Sequence, residues 1–276
     1  MTMANDEAND EAVGRAAIGR MMGILSIELS GKRALVTGGS RGIGRATSRL
    51  LAQAGAEVGI AYHKDHQAAE SVVNEIQRSG GRAWAEAADL GTSDGVVQLF
   101  ERCDREFDDL DIFVANAGIW SPEYVPLIEL EHSAWEKMIR TNLSSVFLTA
   151  REAARRLTQG GAIVVLSSTA GQRGEAGHSD YAATKGALIS FVKSLAVELA
   201  PRDVRVNAIA PGWVDTDMAG PALAGDTKDE ILAQIPLGRV ARASDIAGPI
   251  VFLCSELARH VTGEVLNVNG GSVLCG

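Results

Sequence analysis

The sequence predicts an α/β protein: one doubly wound domain with a mostly parallel central sheet and helices on both faces. Three observations predict it. From Ile27 onward, short β-branched or apolar runs alternate with longer helical stretches. The short runs are continuously apolar rather than alternating, as strands buried on both faces must be. A glycine-rich turn follows the first run and opens straight into a helix, the arrangement of a Rossmann-type mononucleotide-binding unit.

Taken in order, Ala34–Val36 reads as a strand followed by a helix over Ile43–Ala54, and Val58–Ala61 as a strand followed by Gln67–Ser79. Ile112–Ala115 leads into a helix over Ser133–Leu157, and Ile163–Leu166 into Tyr181–Leu199. Arg205–Ile209 leads into Ser244–Leu257, and Val265–Val268 closes the series. No Pro/Ser-rich linker or change of composition divides this stretch, so residues 26–276 are expected to form one domain. Ahead of it, Ala4-Asn5-Asp6-Glu7 repeats as Ala8-Asn9-Asp10-Glu11, acidic and without an apolar face. Residues 1–25 are therefore expected to be a flexible tail, with Met21 or Met22 as alternative starts of translation. Its acidic character does not suit a secretory signal, which needs a basic first region. The Tyr181–Leu199 and Ser133–Leu157 helices are apolar on more than the face a sheet would cover, which implies a second partner, expected to be another copy of the chain.

Composition narrows the function. With 46% hydrophobic and 22% charged residues the 276-residue chain is an ordinary globular one. A net charge of −9 offers no basic footprint for nucleic acid. Its apolar runs fall well short of the roughly 18 residues that a membrane span requires. Cys103, Cys254 and Cys275 are few, scattered and odd in number, which fits the reducing cytoplasm better than a disulfide framework or a zinc site.

In the first turn, Thr37-Gly38-Gly39-Ser40-Arg41-Gly42-Ile43-Gly44, glycines allow tight turning and close approach of the backbone to a pyrophosphate, while the helix N-terminus supplies free N–H groups. A dinucleotide is expected here. An enzyme holding the 2′-hydroxyl of NAD should carry an acid at the end of the second strand. That strand ends Ala61-Tyr62-His63-Lys64, with Asp65 beyond the tip and Glu57 at its start. Arg41 and Lys64 could face a 2′-phosphate instead, so NADP(H) is favoured over NAD(H); the competing reading makes both solvated surface cations. His63 and His66 with Asp65 lack the further ligands a metal needs, and no metal is expected.

Asn116-Ala117-Gly118 follows the Ile112–Ala115 strand, Asn142 lies in the next helix, Ser168 follows the Ile163–Leu166 strand, and Tyr181-Ala-Ala-Thr-Lys185 opens the next helix. Tyr181 and Lys185 share one helix face. A phenol titrating near 10 becomes a usable acid–base group at neutral pH when a nearby ammonium stabilises its phenolate.

Together and in this order, these motifs resemble the short-chain dehydrogenase/reductase family over about residues 26–276. Thr37–Gly44 is similar to the family's TGxxxGxG. Asp89-Leu90 is similar to the acid-bearing pair that holds the adenine ring. Ala115–Gly118 is similar to its NNAG with the first Asn replaced, and Pro211-Gly212-Trp213-Val214-Asp215-Thr216 to the segment gripping the nicotinamide carboxamide. The resemblance implies an oxidoreductase passing the pro-S hydride between nicotinamide and a carbonyl or secondary alcohol, and a homotetramer. It makes Tyr181 the general acid or base, and Ser168 the hydrogen-bond donor to the substrate oxygen. Lys185 would bind the nicotinamide ribose and lower the Tyr181 pKa, and Asn142 would hold a relay water. Within the family, Thr141–Phe147, Pro236–Arg239 and Thr262–Val268 with Gly270-Gly271 resemble 3-oxoacyl-(acyl-carrier-protein) reductases most.

That group usually carries arginines where this chain has Leu148 and Val197, cations that meet an acidic carrier. An acidic protein without them would repel such a carrier, which leaves a carrier-protein partner in doubt. The expected cleft holds Trp120, the segment Gln172-Arg173-Gly174-Glu175 with His178, and Trp213. A loop running from Trp213 through Met218 and Lys228 to Ile235 is expected to close over it. Arg173 or His178 could bind an anionic or hydroxylated small molecule; the competing reading makes them a loop cation and a histidine satisfied by backbone. Sugar, polyol or hydroxy-acid dehydrogenation is the alternative activity. A protein that senses the cofactor without turnover is the alternative of a different class.

Overall fold

The structure is a computed structural model that describes residues 26–224 and 228–274; the acidic tail, Cys275 and Gly276 lie outside the described residues. Seven parallel strands make the main sheet. They are β1 (Arg33–Thr37), β2 (Glu57–Tyr62), β3 (Ala83–Ala87), β4 (Leu110–Ala115), β5 (Leu157–Leu166), β6 (Arg205–Pro211) and β9 (Val265–Val268), in the order β3-β2-β1-β4-β5-β6-β9. A separate pair, β7 (Val214–Asp215) with β8 (Ala241–Arg242), pins the loop that leaves β6. Strand order reverses between β1 and β4, where a doubly wound sheet leaves a crevice at the strands' carboxyl ends.

The helices are α1 (Gly42–Gln53), α2 (His66–Arg78), α3 (Ser93–Glu106), α4 (His132–Ile139), α5 (Ser145–Arg156), α6 (Thr169–Arg173), α7 (Ser179–Leu199), α8 (Gly220–Leu223), α9 (Lys228–Ala233) and α10 (Ala243–Cys254). They bury two cores, one on each face of the sheet. Leu35, Phe100, Phe113, Ile163 and Leu188 lie in one, and Val36, Ile60, Val114, Ile209 and Ile250 in the other. Successive strand residues alternate between these cores, which is why the strands read as unbroken apolar runs. Cys103 and Cys254 are buried free thiols, pushed up to about 12 by burial. No described helix is long and apolar enough to cross a membrane.

The alternating series in the sequence passes over β3 and α3. The β3 segment, Ala-Trp-Ala-Glu-Ala, has no β-branched residue because it is the sheet's edge and only Trp84 is fully covered. The helix expected over Ser133–Leu157 is interrupted by a π-helical stretch, Arg140–Ser144, and Leu157 already belongs to β5. The wider turn there contains the buried Asn142.

Candidate active site

One cavity of about 560 Å³ opens at the carboxyl ends of the strands, at the point of reversal. Its first wall is the turn between β1 and α1. Gly38 and Gly42 take φ of +64° and +51°, conformations that a side chain would strain. A Cβ on Gly44 would lie 2.2 Å from the Gly38 carbonyl oxygen and 2.5 Å from the Asn116 amide nitrogen. Only glycine fits that position, so the turn sits tightly against the start of α1. No side chain caps α1, leaving its first-turn N–H groups free for an anion. Asn116 fastens the turn from β4: its amide donates to the carbonyls of Thr37 at 2.9 Å and Gly38 at 3.1 Å. The Thr37 hydroxyl accepts from the N–H groups of Asn116 and Ala117, both at 3.0 Å.

Gly38, Ser40, Arg41, Gly42 and Ile43 line this wall, while Gly44 stands behind it as the packing contact just described. Tyr62, His63, Asp89 and Leu90 line the adjoining end, and Asn116, Ala117 and Gly118 the floor. Pro211, Gly212, Val214 and Thr216 come in from the far side. Lys64 is exposed and off the wall, so its side chain is a surface cation here, whereas Arg41 faces the cavity. The carboxylates near β2 are occupied elsewhere: Asp65 caps α2 by accepting from Ala68 N–H at 3.0 Å, and Glu57 pairs with Arg82 at 2.7 Å. His66 is held by the Tyr62 hydroxyl and Glu70. The described residues contain no group of three potential metal ligands. These walls suit a dinucleotide, with glycine cradles and free N–H groups where a pyrophosphate would lie.

Ser168, Tyr181 and Lys185 meet on the opposite wall. Ser168 is the N-cap of α6, its oxygen accepting from Ala170 N–H at 3.1 Å. Tyr181 and Lys185 stand one turn apart on α7. The two helices touch through glycine: a Cβ on Gly171 would lie 2.5 Å from the Lys185 carbonyl carbon. The Lys185 ammonium donates to the Leu166 carbonyl at 2.7 Å, at the very end of β5. Burial pushes Lys185 down to about 8. Burial also pushes Tyr181 up to about 12, the Ser168 hydroxyl pulling the other way and the Glu175 charge adding to the rise. The expected depression of Tyr181 by Lys185 is absent from this arrangement. The ammonium lies 5.8 Å from the phenol ring centroid, is turned toward Leu166, and is itself disfavoured by burial.

Asn142 lies outside the cavity wall, fully buried in the π-helical stretch. Its oxygen accepts from Ile119 N–H and its amide donates to the Ile119 carbonyl, each at 2.8 Å. Both ends of the side chain are thus committed to the main chain that follows Gly118. The side chain positions that loop.

Of the residues expected around the substrate, Trp120, Arg173 and Trp213 line the cavity and His178 does not. His178 stacks on Trp120 with ring centroids 5.2 Å apart, its Nδ1 lying 3.3 Å from the Ala176 carbonyl, so it supports the wall from behind. Trp120 meets Trp213 edge to face at 5.6 Å. Glu175 also lines the cavity, a residue to which the sequence reading assigned no role. Its signal was a lone carboxylate in the loop between Ser168 and Tyr181. Trp213, Val214 and Thr216 through Ala219 line the cavity, and Ile235 is buried against Gly270.

Comparison with known proteins agrees with this geometry. The family model described as Enoyl-(Acyl carrier protein) reductase matches residues 38–272. The chain is 40% identical to a 3-oxoacyl-(acyl-carrier-protein) reductase of Aquifex aeolicus over 250 residues, 90% of this chain and 99% of that protein. Among solved structures, a dehydrogenase/reductase of Sinorhizobium meliloti is 37% identical with a TM-score of 0.85, covering 90% of this chain and 98% of that one. A short-chain dehydrogenase of Burkholderia cenocepacia, solved in complex with NADP, is 38% identical with a TM-score of 0.84, covering 89% and 99%. A doubly wound fold with serine, tyrosine and lysine meeting at its crevice defines a nicotinamide-dependent oxidoreductase. This chain belongs to the short-chain dehydrogenase/reductase family.

Proposed function

We propose that the protein interconverts a small ketone and its secondary alcohol with NADP(H) as the favoured cofactor. The observation that carries the reading is the meeting of Ser168, Tyr181 and Lys185 on the wall facing the dinucleotide cradle. The glycine turn, Asp89, Asn116 and the 211–216 segment hold the dinucleotide, which when bound supplies or accepts the hydride. In reduction the Tyr181 hydroxyl gives its proton to the carbonyl oxygen as carbon gains the hydride, and Ser168 donates a hydrogen bond to that oxygen as negative charge develops. Lys185 holds the cofactor ribose, and Asn142 keeps the Ile119 main chain in register behind Gly118. Arg41, and the lack of a carboxylate at the carboxyl end of β2, favour a 2′-phosphate over a free hydroxyl.

The relatives' names point to 3-oxoacyl thioesters as substrates. Val197 is largely exposed and apolar and Leu148 packs against the core, so the arginines expected of carrier docking have no substitute there, and a small thiol carrier suits the chain better. A second reading, a hydroxylated ketone or polyol, is favoured by the polar Arg173 and Glu175 on the wall. Exposed Phe147 and Val197 on α5 and α7 support assembly of several copies, a tetramer by the family's pattern, and the reduced thiols fit the cytoplasm.

The test is oxidation of NADPH and NADH, side by side, with a 3-oxobutanoyl N-acetylcysteamine thioester. Turnover preferring NADPH is the expected result. Tight NADPH binding without turnover of the thioester would remove the oxoacyl reading. A Tyr181→Phe variant that still binds NADPH and leaves some cellular output unchanged would favour a cofactor sensor.

A further inference from the structure

On the cavity wall, Glu175 is a partly buried carboxyl group, its side chain 23% exposed, that accepts no hydrogen bond from the described residues. His178 Nδ1 lies 3.7 Å from a Glu175 oxygen and closer to the Ala176 carbonyl, at 3.3 Å. Burial works against the charge on Glu175, and His178 and Arg173 only partly offset it. A half-buried acceptor that faces a cavity and has no donor of its own is complementary to a donor arriving from that cavity.

Its neighbours narrow what that donor can be. Glu175 lies close enough to Tyr181 for its charge to oppose formation of the phenolate, so it faces the reacting end of the cavity. Arg173, exposed and without an ion-pair partner among the described residues, lines the same wall. An ammonium would be opposed by Arg173 and a carboxylate by Glu175. A hydroxyl suits both, because its O–H can be donated to the carboxylate while its lone pairs accept from the guanidinium. Trp120 and Trp213 meet edge to face on the remaining side and offer apolar faces to C–H groups.

We propose that Glu175 is a specificity-determining residue that accepts a hydrogen bond from a substrate hydroxyl next to the reacting carbonyl, making a neutral hydroxylated ketone the preferred substrate. The inference rests on the ketone–alcohol reading of the site.

The experiment compares 1-hydroxy-2-butanone with 2-butanone, which lacks only the hydroxyl, in NADPH oxidation by the full chain, with the 3-oxobutanoyl thioester as a third substrate. The wild-type protein should prefer the hydroxyketone by about tenfold or more in kcat/KM, mainly through KM. Glu175→Gln keeps an oxygen acceptor and should retain most of that preference, whereas Glu175→Leu should erase it. Thermal melting and fluorescence titration with NADPH establish that each variant is folded and binds cofactor. Equal use of the two ketones by the wild type, or a preference that survives Glu175→Leu, overturns the inference. Turnover of the thioester with neither ketone also overturns it and leaves the ketoreductase reading intact, whereas failure of all three substrates removes that reading as well.

Discussion

Lys185 is buried and Tyr181 half-buried at the cavity wall, and burial drives their proton affinities in opposite directions. Tyr181 is pushed up to about 12, so the phenol is protonated at neutral pH and ready as an acid. Reduction should hold its rate through neutral pH, and oxidation, which needs the phenolate, should rise toward alkaline pH; opposite slopes in the two pH–rate profiles check this. Tyr181→Phe removes the proton donor and should lower kcat by about a hundredfold or more while NADPH titration still shows binding. Lys185 lies at about 8 in the fold against an ordinary 10.5, so between those values the unfolded chain binds the proton that the native one has lost. Stability contributed by this residue therefore rises from about pH 8 to 10.5, by up to about 3 kcal/mol. Tyr181 has the opposite sign, native stability falling as pH rises from 10 toward 12. In thermal melts from pH 7 to pH 10, the wild type should gain on Lys185→Met as pH rises. Parallel curves would show that the ammonium is not strained in the fold. On the cofactor wall, Arg41→Ala should raise the KM for NADPH by about tenfold or more and leave that for NADH little changed, as loss of one charge-assisted contact requires.

Among the elements, the short α6 and long α7 set the site by how closely they approach. Gly171 leaves room for the Lys185 main chain, and a Cβ there would sit at 2.5 Å. Gly171→Val should push α6 from α7 and separate Ser168 from Tyr181. It should lower kcat more than it raises KM and cost about 1–3 kcal/mol of stability, read from kinetics and denaturant melts. The sequence displayed Tyr181 and Lys185 as an i, i+4 pair because helix periodicity is local. Gly171 offered no such signal, since a contact between two helices is invisible in the spacing within either one. The π-helical turn around Asn142 is similar: its sequence, Arg-Thr-Asn-Leu-Ser, reads as plain helix, and only the bond pair to Ile119 shows what the irregularity achieves. Lys64 shows the converse. Its position at the end of β2 suggested a phosphate contact, but the direction of an exposed side chain leaving a strand end is not written in the spacing.

At the scale of the molecule, the two cores account for the periodic runs, and the helices left with exposed Phe147 and Val197 account for an expected assembly of several copies. Light scattering should give a mass near four times that of the chain. Val197→Lys should lower that mass if α7 lies at the contact, and an unchanged tetramer would move the interface elsewhere. The sequence by itself determined the strand–helix alternation and the glycine turn, because these depend on backbone sterics and on periodicities of a few residues, while Ser168, Tyr181 and Lys185 stood out as a set through the resemblance of their motifs to the family. Only the tertiary structure decided that Asn142 bonds Ile119, that His178 stands behind Trp120, that Asp65 is occupied as a helix cap, and that Glu175 faces the cavity without a donor. Each of those outcomes depends on which segments distant in the chain become neighbours, and packing the helices against the sheet is what brings them together.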